Sequence, residues 1–361
     1  MIRILHAADL HLDSPFESLP SEKAAIRRSE QRELLRSLAQ LRAQYGAQLV
    51  LLPGDLFDSR KSWAGTEEQL CLALAEMAVP VFISPGNHDF YAPNGRWQRM
   101  RLPENVHVFS SPKLEAVELP ELGVRVWGAA FTDSFSEPLL RNFFVGERGG
   151  LTQLLCIHGD VGVPSSRHDP ISEDELALSG IDYAALGHIH KFSGLRQAGG
   201  CFYAWPGCPE GRGFDELGEK GVIIADVEPG RTEIEFVPVG TRRYELIRLD
   251  ASELEAFRLP EDAERNVYKI VVEGETDAPP DLAELRRRLE GGCFGLKLRD
   301  ETRIRRDIWQ RAGEDSLRGA FLRRLKERYE NAADDAEREA VTRAVRWGLA
   351  ALDGAEEAEA I

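Results

Sequence analysis

The sequence predicts an α/β protein whose functional residues follow the ends of buried strands. Short apolar runs end in polar residues in RILHAAD, QLVLLPGD, VPVFISPGN, LLCIHGD and DYAALGH, a pattern typical of buried strands that lead into active-site loops. Helix-like stretches over about 22–45 and 66–78 separate the first three runs. Six of the eight histidines lie in the segments around these runs. The sequence therefore places its metal-binding side chains at one edge of a sheet.

The later part of the chain predicts more strands and then a second, smaller unit. ENVHVFSS, VRVWGAAF, CFYAW, GVIIADV and TEIEFVPV are short strand patterns with Gly and Pro between them, and residues 235–250 are the expected exit from the first domain. VYKIVVEG and FGLKLRDE then predict strands on either side of DLAELRRRLEGG, a short helix that ends at glycine. We expect this second unit to be an α+β domain.

The C-terminal region is predicted to be helical over about 315–350, with an acidic, frayed tail. Its apolar stripe consists of Leu317, Phe321, Leu322, Leu325, Val341, Val345 and Leu349. Packing in a core is the favoured interpretation of this stripe, and docking of a partner is the alternative. The expected division is 1–240 for the catalytic domain, 241–314 for the second domain and 315–361 for the helical segment.

Five segments carry residues that can hold metal ions. They are Asp9 with His11 in HAADLHLDSPF, Asp55 in PGDLFD, Asn87 with His88 in SPGNHDF, His158 in LLCIHGD, and His188 with His190 in ALGHIHK. Each segment alone is a weak signal, because surface turns and structural histidines produce similar patterns. Their occurrence together, each after a strand, predicts a two-metal phosphoesterase site.

The types of ligand atom indicate which metal ions the site can bind and which reaction they can support. Oxygen and imidazole nitrogen without cysteine exclude a thiolate zinc site and favour Mn²⁺ or Fe²⁺, with Zn²⁺ also compatible. Two such ions about 3.5–4 Å apart can hold a phosphodiester and generate a hydroxide for in-line attack. One carboxylate must bridge the ions to offset their repulsion. Asp55 is the candidate, because Gly54 lets the chain turn sharply beside it.

These segments resemble the calcineurin-like metallophosphoesterase family. The motifs HAADLHLDSPF, GDLFD, PGNHD and GHIHK are similar to those of the DNA-repair exonuclease branch. This branch includes the nuclease subunit of the SbcCD complex and the YhaO-type exonucleases. The resemblance covers about the first 210 residues. It implies a four-layer α/β/β/α sandwich, with the smaller α+β unit as a capping domain over the nuclease cleft.

The resemblance also implies a role for each site residue. The first metal would be held by Asp9, His11, Asp55 and His190, and the second by Asp55, Asn87, His158 and His188. His88 would be catalytic rather than a ligand, contacting the phosphate and assisting the leaving oxygen. The roles of Asp58 and Asp89 are left open: Asp58 is a candidate for supporting a ligand from behind, and Asp89 is a candidate for orienting His88.

Composition predicts an ordinary globular chain in a reducing compartment. The chain has 361 residues, 43% apolar and 29% charged, which fits one large and one smaller domain. Five cysteines without a CxxC pair argue against a disulfide framework and favour the cytoplasm. No signal peptide and no apolar stretch of membrane-spanning length is recognised, so no membrane association is expected.

Charge is the main argument against DNA as the substrate. The net charge is −16, whereas proteins that bind the phosphate backbone are usually basic over their footprint. From Arg286 to Arg328, however, 14 Lys and Arg face only 7 Asp and Glu. This segment, which includes Arg305 and Arg306, either contacts DNA or forms ordinary ion pairs along solvated helices.

Two functions remain open at this stage. The first is an exonuclease, also able to cut single strands internally, that uses two metal ions, with Mn²⁺ favoured, and works with a coiled-coil ABC-type ATPase. The second is a small-molecule or nucleotide phosphodiesterase of the same superfamily. A catalytically dead scaffold is disfavoured because every expected ligand and His88 are present. A homodimer is left open.

Overall fold

The computed structural model describes residues 1–59, 62–276, 279–304 and 308–352. The chain divides into two compact units, Met1–Arg243 and Tyr244–Ile361. The functional division into nuclease, capping and docking parts stays a prediction. Arg305, Arg306 and the acidic tail from Asp353 onwards lie outside the described residues.

The first unit alternates strands and helices along most of its length. Its strands are β1 (Ile2–His6), β2 (Leu49–Leu52), β3 (Val81–Ile83), β4 (Val106–Val108), β5 (Glu115–Leu119), β6 (Val124–Gly128), β7 (Thr152–His158), β8 (Asp160–Val161), β9 (Pro170–Ile171), β10 (Tyr183–Gly187), β11 (Arg196–Ala198), β12 (Cys201–Ala204), β13 (Gly221–Glu228) and β14 (Arg231–Pro238). Its helices are α1 (Ser21–Tyr45), α2 (Thr66–Glu76), α3 (Arg96–Arg99) and α4 (Glu173–Ser179), with a 3₁₀ turn at Pro120–Leu122.

Two six-stranded sheets form the centre of this unit. The first has the order β14-β13-β1-β2-β3-β4 and the second β11-β12-β10-β7-β6-β5. Strands β1 to β4 are parallel to one another, as are β12, β10, β7 and β6, whereas the remaining strands pair antiparallel at the edges. The carboxyl ends of the parallel strands in each sheet therefore meet at one edge.

The sheets pack face to face between two helical layers. Ile4, Leu51 and Phe82 of the first sheet share a buried cluster with Leu154 and Tyr183 of the second. A separate cluster joins the outer face of the first sheet to α1 and α2 through Leu34, Leu38, Leu70 and Leu74. On the far side, Leu176 of α4 packs with strands β7 and β10. The predicted four-layer α/β/β/α sandwich is confirmed.

The described part of the second unit contains parallel strands and three α-helices. Its strands are β15 (Tyr244–Asp250), β16 (Val267–Glu273), β17 (Glu275–Thr276), β18 (Gly295–Asp300) and β19 (Arg303–Ile304), and its helices are α5 (Leu282–Leu289), α6 (Leu317–Glu330) and α7 (Asp335–Leu352), with 3₁₀ turns at Ala251–Glu253, Ala263–Arg265 and Ile308–Gly313. The predicted strand–helix–strand pattern is present as β16, α5 and β18. The sheet has the order β15-β16-β18. Its strand β15 lies in the segment that was interpreted from sequence only as the exit from the first domain.

The C-terminal helical stripe mostly packs into a local core. Leu322, Val345 and Leu349 are buried together, with Phe321 and Leu325 packed against them, whereas Leu317 is exposed. The helical stretch is interrupted between α6 and α7, which the continuous apolar pattern did not indicate. Packing accounts for most of this stripe.

Candidate metal centre

The predicted site residues lie at the carboxyl ends of parallel strands of the two sheets or a few residues after them. Asp9 and His11 follow β1, Asp55 follows β2, and Asn87 with His88 follows β3. His158 is the last residue of β7, and His188 and His190 follow β10. The fold therefore brings together side chains that are up to 181 positions apart in the chain, as Asp9 and His190 are.

The loops that carry these residues adopt unusual backbone conformations. Asp9, His11, Asp55 and His188 have φ values of 53°, 43°, 51° and 98°, in the left-handed region that non-glycine residues rarely occupy. Such conformations are costly and concentrate at functional sites. Gly54 has φ 88°, and a Cβ at this position would lie 2.4 Å from Nδ1 of His158. Glycine is therefore required here both for the turn and for the close approach.

One group of potential ligands consists of Asp9, His11 and His190. Nε2 of His11 lies 3.1 Å from Nε2 of His190. The opposite nitrogens face carboxylates: Nδ1 of His190 is 2.7 Å from Oε1 of Glu216, and Nδ1 of His11 is 3.3 Å from Oδ1 of Asp58. A carboxylate behind an imidazole favours the tautomer whose other nitrogen is free to ligate a cation.

A second group surrounds His158. Its Nε2 lies 2.9 Å from Oδ1 of Asn87, 3.2 Å from Nδ1 of His188 and 3.4 Å from Oδ2 of Asp55. Nδ1 of the same ring is 3.1 Å from the carbonyl oxygen of Pro53. Donation from Nδ1 to this carbonyl leaves the Nε2 lone pair facing the other three atoms.

Asp55 links the two groups through a single oxygen. Its Oδ2 is 3.4 Å from Nε2 of His158 and 3.8 Å from Nε2 of His11. Its other oxygen accepts a hydrogen bond of 2.9 Å from the backbone N–H of His88. The Asp55 side chain is therefore fixed with one oxygen between the two ligand sets, which is the position that a bridging carboxylate requires.

These spacings fit divalent metal ions. Two ligand atoms that are each about 2.1 Å from one ion lie about 3.0–3.4 Å apart at octahedral or tetrahedral angles. The distances around Nε2 of His158 run from 2.9 to 3.4 Å, and the two nitrogens of His11 and His190 are 3.1 Å apart. The donors are imidazole nitrogen, carboxylate and amide oxygen, which suit first-row divalent ions.

Charge balance within the protein also favours a cation at this place. Burial would lower the pKa of His158, but the Asp55 carboxylate outweighs this effect and raises the pKa to about 9. Conversely, burial would raise the pKa of Asp55, and the neighbouring His158 holds it well below its usual range. Asp55 and His158 thus stabilise each other's charged form in the metal-free protein. A bound cation would take over this role from the imidazolium, because ligating histidine must be neutral.

His88 lies beside the first group and has a fixed ring. Its side chain is exposed, its ring centroid is 4.9 Å from that of His11, and its Nδ1 is 2.8 Å from the carbonyl oxygen of Asp58. Donation from Nδ1 to this carbonyl leaves Nε2 to hold or release a proton. His88 also forms a potential ligand group with His11 and Asp58, so its role as a non-ligand stays a prediction.

Two aspartates whose roles the sequence left open have defined contacts. Oδ1 of Asp58 faces His11 and accepts hydrogen bonds of 2.9 Å from both Ser14 and Arg212. Asp89 was a candidate for orienting His88, but its carboxylate instead accepts backbone N–H groups of Gly86, Leu56 and Phe57. Asp89 therefore ties the loop after β2 to the loop after β3.

Sequence reasoning missed the side chains that hold the first group from behind. Glu216 is buried and contacts His190, and Arg212 lies 2.6 Å from Glu216 and 2.9 Å from Asp58. Arg212 thereby joins the two carboxylates behind His11 and His190. The signal available in the sequence was weak: Arg212 ends the segment AWPGCPEGR, and Glu216 belongs to no recognised motif.

A further cluster on the side of the second group was also missed. It combines Asp160, His168 and His188, whose potential ligand atoms all lie within 4.8 Å of one another. Oδ2 of Asp160 is 3.4 Å from Nε2 of His188, which leaves Nδ1 of His188 facing His158. Asp160 follows His158 by two residues in HGD, so the sequence indicates that Asp160 lies near His158. It does not indicate that Asp160 contacts His188.

Comparison with known proteins identifies the family. The family described as Calcineurin-like phosphoesterase matches residues 2–192, which is more than half of the chain and includes every predicted site residue. The chain belongs to the calcineurin-like phosphoesterases. It is thus a member of a family of metal-dependent phosphoester hydrolases, and the clusters of His, Asp and Asn at its strand ends are candidate metal-binding groups.

Individual relatives extend this similarity. The chain is 31% identical over 279 residues to the uncharacterized metallophosphoesterase YhaO of Bacillus subtilis (strain 168), covering 72% of this chain and 67% of the relative. It is 25% identical to the DNA double-strand break repair protein Mre11 of Aeropyrum pernix over 69% of this chain and 64% of the relative. The Mre11 of Methanopyrus kandleri is also 25% identical, over 78% and 67%. The chain therefore spans about two thirds of the length of these relatives.

The basic segment of the second unit is partly neutralised by local partners. Arg287 pairs with Glu284 at 2.5 Å, Arg299 with Glu301 at 3.0 Å and Arg311 with Glu314 at 2.8 Å. These contacts agree with the interpretation as ordinary ion pairs for part of the segment. Among the described residues, no helix is long and apolar enough to cross a membrane.

Proposed function

We propose that the protein is a two-metal-dependent DNA phosphodiesterase that acts as an exonuclease and can also cut single strands internally. The observation that carries the two-metal part is the position of Asp55, whose Oδ2 lies between Nε2 of His11 and Nε2 of His158. The choice of DNA draws its support from the similarity to two Mre11 proteins named for DNA double-strand break repair.

The proposed ligand sets follow the two groups of side chains. Asp9, His11 and His190 hold one ion, Asn87, His158 and His188 hold the other, and Asp55 bridges them. When bound, the ions would polarise the phosphoryl oxygens and lower the pKa of a water molecule. Mn²⁺ is the proposed metal, because the ligand set is rich in oxygen and nitrogen and lacks thiolate.

His88 is the proposed catalytic residue. The Asp58 carbonyl holds its Nδ1, so the ring presents Nε2 as the atom that donates a proton or hydrogen bond to the phosphate and the leaving oxygen. Negative charge develops on these oxygens during hydrolysis, and a fixed donor stabilises it without reorganisation. Asp58, Arg212 and Glu216 are positioning residues, since they act through His11 and His190.

An ATPase partner and the cytoplasm belong to the same proposal. They are expected from the resemblance to repair exonucleases and from the cysteine content, respectively. The proposed partner is a coiled-coil ABC-type ATPase subunit, and the second unit is the proposed DNA-contacting cap. Arg286 and Arg324 are suitable contacts within it, since neither forms an ion pair with another described residue.

A small-molecule or nucleotide phosphodiesterase is the second candidate. The observation that favours it is the net charge of −16, which opposes binding of a polyanion at physiological ionic strength. The same metal centre would serve either substrate, so only the substrate range distinguishes the two candidates.

The deciding experiment compares substrates under one set of conditions. The purified protein with Mn²⁺ is offered a linear duplex, a single strand, bis-p-nitrophenyl phosphate and cyclic nucleotides, with Asp55→Asn and a chelator as controls. We expect degradation of DNA that requires metal and Asp55. Efficient hydrolysis of a cyclic nucleotide without degradation of either DNA would reject the nuclease and support the second candidate.

A further inference from the structure

A row of planar side chains runs outward from the second ligand group. The His168 ring is tilted by only 27° from the Phe131 ring and by 25° from the Phe135 ring, with centroid distances of 6.5 and 6.1 Å. The guanidinium of Arg167 lies over the Phe135 ring, with Cζ 3.5 Å from the ring centroid. We call these four residues the aromatic row. None of them is among the metal ligands or the catalytic residue proposed above, although His168 also forms a potential ligand group with Asp160 and His188.

The inner end of the aromatic row is anchored at the metal centre. The Phe131 ring is buried and lies 5.5 Å from the His158 ring, and the His168 ring lies 4.7 Å from the His188 ring. The backbone N–H of Phe131 donates to the carbonyl of Pro85, two residues before Asn87. The position of the row is therefore coupled to the ligands of the second group.

The outer end is exposed but held by the backbone. Phe135 is 44% exposed and Arg167 is exposed. The N–H of Ser136 donates to the carbonyl of Arg167 at 3.0 Å, and the N–H of Asp169 donates to the carbonyl of Ser136 at 3.3 Å. These hydrogen bonds join the two loops that carry the row. The exposed planar groups are thus preorganised, which reduces the entropy lost when a ligand stacks on them.

Arg167 supplies a charged planar face at the end of the row. It forms no ion pair with a carboxylate in the part of the chain that the structure describes, and its guanidinium is stacked on Phe135. Unpaired nucleobases stack on guanidinium and aromatic planes. Bases inside a duplex cannot use such a face, because their neighbours cover both sides.

We propose that the aromatic row is a base-stacking subsite. The scissile phosphate of the bound strand lies at the metal centre, and an unpaired nucleobase of the same strand stacks on the guanidinium of Arg167. Phe135 and His168 support this guanidinium from behind. The inference rests on the proposed nuclease function and specifies its substrate as a strand with an unpaired nucleotide beside the cleaved bond. Arg167 and Phe135 are specificity-determining residues in this proposal and take no part in bond breaking.

The test combines substitutions in the aromatic row with DNA substrates that lack a base. Arg167→Ala and Phe135→Leu are compared with the wild type on a single-stranded oligonucleotide, on the same strand with abasic nucleotides flanking the cleavage site, and on bis-p-nitrophenyl phosphate. Arg125→Ala is the matched control, because Arg125 also lies over an aromatic ring, Trp127, with Cζ 5.9 Å from the centroid. Its strand neighbour is Gln153, at the opposite end of β7 from His158.

We expect each variant of the row to lower kcat/KM for the intact strand by about 5- to 150-fold, mainly through KM, since one stacked base contributes about 1–3 kcal/mol and about 1.4 kcal/mol is a factor of ten. The abasic strand should be cleaved equally by the wild type and the variants. Turnover of the small diester should be unchanged, and Arg125→Ala should resemble the wild type on every substrate.

The outcomes separate this proposal from the proposed function. Suppose that the wild type degrades DNA, and that Arg167→Ala lowers kcat/KM equally on intact and abasic strands or does not lower it at all. The base-stacking subsite is then rejected, whereas the proposed nuclease function is retained. If the wild type hydrolyses only the small diester and binds no single strand, both proposals fail. Binding is measured by fluorescence anisotropy in a His88→Ala background, so that cleavage does not interfere.

Discussion

Replacing Glu216 by alanine should weaken binding of the metal ion proposed for His190 by about 10- to 100-fold, the range typical of residues that orient a metal ligand. Glu216 is only 4% exposed, and its Oε1 lies 2.7 Å from Nδ1 of His190. The carboxylate holds the ring in the orientation that places Nε2 beside His11. Without it, the ring can rotate and can take the tautomer whose Nε2 carries a proton.

The magnitude follows from the type of hydrogen bond that is lost. A hydrogen bond to a charged group contributes about 1.5–3 kcal/mol, and about 1.4 kcal/mol corresponds to a factor of ten in affinity. Glu216→Gln retains an acceptor oxygen at nearly the same position but lacks the charge. Since charge-assisted hydrogen bonds are about twice as strong as neutral ones, the glutamine variant should lose about half as much free energy as the alanine variant.

Calorimetric titration of the metal-free protein with Mn²⁺ measures this effect. Glu173→Ala is the matched control, because Oε1 of Glu173 accepts a hydrogen bond of 2.9 Å from Tyr203 but contacts no predicted ligand. Thermal unfolding of each metal-free variant shows whether the fold is retained. A folded Glu216→Ala protein that binds both ions as tightly as the wild type would refute the role assigned to this carboxylate.

Three other predictions test the remaining parts of the site. His88→Ala should slow hydrolysis by about 10²–10³ while calorimetry still detects two bound ions; loss of an ion would instead make His88 a ligand. Asp55→Asn should weaken both metal sites together, whereas Asn87→Ala should weaken one, and independent behaviour of the sites in Asp55→Asn would contradict the bridge. Although burial opposes the shift, His190 and Arg212 lower the pKa of Glu216 below its ordinary value of 4.5. Stability from this group is therefore present above pH 4.5 and is lost as the pH falls, so acid unfolding of the metal-free wild type should be steeper than that of Glu216→Gln.

The strands and the residues placed at their ends could be predicted from the sequence alone. RILHAAD, QLVLLPGD, VPVFISPGN, LLCIHGD and DYAALGH became β1, β2, β3, β7 and β10. This succeeded because a buried parallel strand is a local pattern: a continuous apolar run with a polar residue after it. Asp9, Asp55 and His158 could be predicted together because parallel strands end at a common edge.

The side chains that support these residues could be identified only in the folded protein. Glu216 reaches His190 and Arg212 joins it to Asp58 through a loop that has no periodic pattern. Phe135 and His168 meet because two loops pair through Ser136 and Asp169. Such contacts depend on how separate loops pack, and the residues themselves carry no local signal of their partner.

The second unit illustrates the same limit for secondary structure. Residues 244–250 alternate in burial as β15 and pair in parallel with β16, but their sequence was compatible with a connecting segment. The break between α6 and α7 was hidden because Leu322, Val345 and Leu349 belong to one apolar cluster and extend one apparent stripe. A strand is stabilised by its hydrogen-bonded neighbour, and a helix pair is stabilised by the packing between the two helices. Both features could therefore be recognised only in the folded chain.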